Sequence, residues 1–212
     1  LEFSARDPGR WEVLKIVSQL NLAGELVTDP AERLAIARLN LQAGEKAKWA
    51  AANQSAFKFF VAGLSFLLPV GSVTTESADV LDPGAAAFAT DYDLSLSLTG
   101  RAAESAYLLA DFPSMDRLAD SALKNARSWQ DKVEIYQVRI NALTAQNRLL
   151  DAIQAAREIL EPLGVRLPLK PGQAEVDEAL REVDQALQGR SFASLLAIPQ
   201  APAGAAHHGV LR

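Results

Sequence analysis

The chain has 212 residues, enough for one large or two small domains, and 49% of them are apolar, which excludes a globally disordered polypeptide. Twenty-one basic residues against 26 acidic ones leave a net charge of −5, which argues against the clustered basic face of a nucleic-acid binder. With no cysteine in the chain, disulfides, thiolate nucleophiles and cysteine-ligated metals are excluded.

Leu1-Glu2-Phe3 opens without methionine and reads as a cloning remnant, so residues 1–9 are treated as a linker. Asp7-Pro8-Gly9 is a helix-start signal, and Val13, Ile16, Val17 and Leu20 then recur at helical spacing. This predicts a first helix from about Arg10 to Leu26. Thr28 or Asp29 can cap the next helix, with Pro30 in its first turn and Glu32 near its positive dipole end. Leu34, Ala37 (or Arg38) and Leu41 carry the stripe towards Gly44, which reads as the helix stop.

A third helix is expected over Glu45 to Leu68. Phe57, Val61, Leu64 and Leu68 form one line, Phe60 and Leu67 widen it, and Phe59 and Phe66 occupy a further face. A helix this apolar on several sides belongs at the centre of an array. The longest apolar run, Phe57 to Val70, is interrupted by Lys58 and Gly63 and falls short of the ~20 residues that span a bilayer. No signal-peptide pattern opens the chain, so a cytoplasmic protein without membrane insertion is expected.

Residues 69–84 read as a long loop. Leu94 to Leu98 alternates with period two, the one strand-like signal, but its alanine-rich flanks favour helix. The helix that contains it ends near Ala110. Further helices are predicted from Pro113 or Ser114 to Ser128, Trp129 to Gln146, Leu149 to Leu163 and Gln173 to Gln188. Gly189 ends the last, and a turn at Phe192 to Leu196 is expected to pack back. Residues 200–212, with His207 and His208, read as a disordered tail or tag remnant, and the whole as a fragment of a longer protein.

Two segments align on the helix-turn-helix template of the tetratricopeptide repeat: ESAYLLADFPSMDRLADSAL from Glu104 and NALTAQNRLLDAIQAAREIL from Asn141. Ala110-Asp111-Phe112 matches Asn147-Arg148-Leu149 at the turn. Met115, Ala119 and Ala122 match Ala152, Ala156 and Ile159 on the second helix. Neither copy has the usual glycine at the turn. The predicted fold is all-α, a right-handed tetratricopeptide-like stack of seven or eight helices forming one domain over residues 10–199.

In such arrays the first helix of each pair lines the concave face. That face would carry Ser97, Glu104 and Tyr107 from one pair, and Glu134, Gln137, Asn141 and Thr144 from the next. Polar side chains with one aromatic suit recognition of a peptide or another domain. Arg101 and Arg139 are expected to pair with carboxylates such as Glu104 or Glu134. Trp11 and Trp129 are expected in the core and Trp49 to be partly exposed.

Catalysis finds little support in these residues. No phosphate-binding loop GxxxxGK[ST] occurs among the scattered glycines. The two histidines lie in the tail, which removes the usual general base. A Glu104–Glu134 pair reads as a solvated face. No cofactor, metal or catalytic residue is expected.

The chain resembles the helical region that follows the ATPase module in large multidomain bacterial signalling kinases. The resemblance rests on IVSQLN (16–21), TDPAERLAIARLNLQAGEKAK (28–48), FKFFVAGLSFLL (57–68), LGVRLP (163–168) and GRSFASLLAIP (189–199). Those proteins join a serine/threonine-kinase-like domain, an AAA-type ATPase, helical repeats, a GAF sensor and a histidine kinase. The resemblance implies a non-catalytic relay segment whose partners are the flanking modules or a regulatory protein. A domain that senses a small molecule or peptide in its concave groove is the alternative.

Overall fold

Asp29 shows how the local chemistry sets the helices. Its carboxylate accepts the backbone N–H of Glu32 at 2.9 Å, and Pro30 follows as the first residue of the helix. A computed structural model describes residues 8–71, 81–187, 189 and 194, and of residues 8–12 the backbone alone. Nine α-helices lie among them: α1 (Pro8–Leu22), α2 (Pro30–Trp49), α3 (Asn53–Leu67), α4 (Gly84–Thr90), α5 (Tyr92–Leu108), α6 (Phe112–Asn125), α7 (Trp129–Ala145), α8 (Leu149–Leu160) and α9 (Gln173–Leu187). No strand occurs among the described residues, so the period-two stretch 94–98 is helical. Residues 1–7 of the expected N-terminal linker, the middle of the long loop (72–80), the Phe192–Leu196 turn, apart from Ser194, and the histidine tail lie outside the described residues, as does the Trp11 side chain; Pro8 and Gly9, expected in the linker, open α1.

Two expected boundaries move. Gly44 does not stop a helix, because α2 runs through it to Trp49. A Cβ at Gly44 would overlap the Phe60 ring, with Cδ1 2.6 Å away, so glycine serves there as a close-approach point between α2 and α3. The single helix expected to end near Ala110 is two, α4 and α5. Asp91, extended at φ −153°, separates them and caps α5 by accepting the Leu94 N–H at 3.1 Å.

The fold divides into two units, 1–142 and 143–212, with the boundary inside α7. In the first, α3 is central: nine of its fifteen residues are buried, and it packs against α2, α4 and α5. Phe60, Leu64, Leu98, Met115 and Leu118 are fully buried there. Each such side chain stabilises the fold by roughly 1.5–3 kcal/mol. Gly63 sits against Leu98 and Gly100 against Ile135, so small residues bring α5 close to its neighbours on both sides. Met115, Ala119 and Ala122 of α6 are all fully buried. In the second unit, α8 buries Ala152, Ala155 and Ile159, so the expected Ala156 is only half-buried.

One hairpin turn recurs three times. Ala51, Ala110 and Asn147 adopt the left-handed conformation, at φ 56°, 58° and 58°. At each, the next residue's N–H bonds the carbonyl five positions back: Ala52 to Ala47, Asp111 to Ala106 and Arg148 to Leu143, all at 2.9 Å. The left-handed residue's own N–H bonds the carbonyl three positions back, again at 2.9 Å in each case. This double closure satisfies the orphan carbonyls of α2, α5 and α7 in the same way. The last two turns stand 37 residues apart (147 minus 110), which is the offset of the sequence repeat.

Candidate interaction groove

α5 and α7 carry the candidate residues, and a capped turn fixes the two helices side by side. Ser128 and Asp131 form a reciprocal cap at the start of α7. The Asp131 carboxylate accepts the Ser128 N–H at 2.9 Å, and the Ser128 hydroxyl accepts the Asp131 N–H at 3.2 Å. The same carboxylate accepts the Tyr92 hydroxyl at 2.6 Å, tying α7 to the start of α5. The Tyr92 oxygen in turn accepts the Arg127 N–H, and the Arg127 guanidinium lies 3.9 Å over the Tyr92 ring. Desolvation and the bond to Asp131 push the Tyr92 pKa up. Burial alone would raise the Asp131 pKa, but its hydrogen bonds from Tyr92, Ser128 and Arg127 pull it below the usual carboxylate value.

Ser97, Glu134, Gln137 and Asn141 are exposed, whereas Glu104 and Tyr107 are half-buried. Glu104 belongs to an ion-pair cluster. Its carboxylate meets Lys48 of α2 at 2.5 Å and Arg101 at 3.4 Å, and Arg101 also meets Glu45 of α2 at 2.8 Å. Desolvation lowers the Arg101 pKa, but Glu45, Glu134 and Glu104 more than offset this and hold it above its ordinary value. The Arg101–Glu104 pairing matches the sequence reading, while Arg139 pairs with Asp120 on α6. Glu134 acts on Arg101 through charge, which places α7 beside the cluster. Thr144 belongs to the second unit.

Three further features stand out; the exposure of Trp49 was expected from the sequence, and the other two were not. Trp49, directly after Lys48, is 81% exposed, a large aromatic on the surface next to the cluster. Its position between Lys48 and Ala50 was the only signal. Asn21 and Asn40 exchange two amide hydrogen bonds of 2.8 Å between α1 and α2, with Asn40 fully buried. Arg33 gathers chain ends: it donates to the carbonyls of Val27 (3.1 Å), Ser65 (2.9 Å) and Leu68 (3.0 Å), with Phe66 beneath it at 5.3 Å. Both pairings join residues far apart in sequence, and no local pattern marks them.

A cluster of paired charges flanked by exposed hydroxyl and amide groups can bind polar and charged side chains of another polypeptide. These observations define a helical protein with polar and charged side chains along α5 and α7. The chain is 23% identical over 184 residues to hybrid signal transduction histidine kinase G of Dictyostelium discoideum. The match covers 87% of this chain and 5% of that kinase, so the chain spans a small part of its relative's length. No family model matches the chain, and no solved structure matches it.

Proposed function

We propose that the chain is a non-catalytic protein–protein interaction and relay segment of a multidomain signalling kinase, built as a tetratricopeptide-like stack. The observation that carries this reading is the hairpin turn made three times with the same hydrogen bonds. A repeated hairpin is the unit of an array whose members cannot bury their apolar faces alone. α5 packs on both helices of the α2–α3 pair, as the first helix of a following repeat does. Distant similarity to a signal transduction histidine kinase supports the signalling context. The engagement of Glu104 by Lys48 and Arg101 supports a binding role over proton transfer. No helix among the described residues is long and apolar enough to cross a membrane, in keeping with a cytoplasmic segment.

The relay would work by small shifts between neighbouring hairpins, passing a change of state from an ATPase module to a sensor or kinase module. Calorimetric titration of the chain against each flanking module, in each nucleotide state, tests it. Binding to at least one, weakened by Glu134→Lys or Asn141→Ala, is the expected result. No binding in any state overturns the proposal.

A further inference from the structure

The second unit carries an open groove of about 1040 Å³ between α9 and the segment after α8. Val165 and Leu167 form one wall, and Val176, Leu180 and Val183 of α9 the other. The α9 residues stand at i, i+4 and i+7, one face of a helix, yet they are 38%, 59% and 54% exposed. None of the fifteen residues of α9 is buried. A helix of that length is marginal in water by itself and takes its stability from packing an apolar face.

Charge decides what fits. Glu161, Glu175, Glu178 and Glu182 line the groove against Arg157 and Arg166, an excess of two negative charges. α9 as a whole has five acidic residues (Glu175, Asp177, Glu178, Glu182, Asp184) and one basic, Arg181. A second copy of this face would bring like charges together. We propose that the groove takes an amphipathic helix of a partner protein, its leucine-type stripe on Val176, Leu180 and Val183 and its basic flanks on the glutamates. This is helix-in-groove recognition, with stripe spacing matched on both sides. The inference rests on the interaction reading above but uses a different surface.

The test uses the whole chain and two labelled helical peptides with the same leucine stripe, one flanked by lysines and one by glutamates. Fluorescence anisotropy should show saturable binding of the lysine peptide and a preference for it over the glutamate peptide. Leu180→Asp should weaken it about tenfold or more. The double variant Glu178→Lys/Glu182→Lys should reverse the preference. Because all three side chains are exposed, circular dichroism of the variants should match the parent. Equal binding of both peptides, no saturable binding, or binding indifferent to Leu180→Asp overturns the proposal. So does lysine-peptide binding that appears only once residues 190–212 are removed, which would make the chain its own occupant. A flanking module that binds the chain while the lysine peptide fails to bind keeps the relay reading and removes only this groove.

Discussion

Alanine at a left-handed turn is a local cost that the hairpins carry twice. A non-glycine residue there suffers a Cβ clash of about 1–2 kcal/mol, while glycine there would lose about 0.5–1 kcal/mol more chain entropy on folding. Ala110→Gly and Ala51→Gly should therefore each stabilise the chain by up to about 1 kcal/mol in urea unfolding. Asn147→Gly should gain less, because asparagine tolerates this conformation. The opposite sign is expected at Gly44, where an added methyl meets the Phe60 ring. Gly44→Ala should destabilise by about 1–3 kcal/mol despite alanine's better helix propensity. A stabilised Gly44→Ala variant would show that α2 and α3 do not approach as described. Both cases show why single glycines mislead in a sequence. The residue that permits a stop also permits a close crossing, and only the partner helix tells which.

At the scale of elements, the Tyr92–Asp131 clamp joins α5 to α7 and should be strongest at intermediate pH. The folded-state pKa of Asp131 is depressed, so its contribution is complete above the unfolded value near 3.8 and is lost as pH falls through the lower folded value. For Tyr92 the folded pKa is raised, so its contribution is complete below about 10.0 and is lost as pH rises through the higher folded value. Tyr92→Phe should cost about 1 kcal/mol at neutral pH and flatten the alkaline limb of the stability profile. An alkaline limb unchanged in that variant would remove Tyr92 from the clamp. Stripe spacing predicted most of these helices, and in α6 Met115, Ala119 and Ala122 form the buried face. The break between α4 and α5 was legible only as Asp91 three residues before Leu94, a cap hidden inside an alanine-rich stretch. Of the charge cluster, Arg101 and Glu104 are one turn apart and could be paired from the sequence. Glu45 and Lys48 stand more than fifty residues away and needed the packing of α2 on α5.

Across the whole molecule, burial is graded, and local stability should follow it. α3 and α5 hold the largest share of buried residues, Phe60, Leu64 and Leu98 among them, while α9 holds none. Amide exchange reports this gradient, because an amide exchanges at the free energy of the smallest opening that exposes it. Amides in the middle of α3 and α5 should exchange only through global unfolding and show the full dependence on denaturant. Those of α9 should exchange through local opening, with little denaturant dependence. Ala110→Gly, which acts on the hairpin in the first unit, should slow exchange in α5 and leave α9 unchanged. Adding the lysine-flanked peptide should do the reverse, raising protection along α9 and hardly altering α3. Protection of α9 equal to that of α3 in the free chain would mean that its apolar face is already covered, and the groove would have no vacancy to offer a partner.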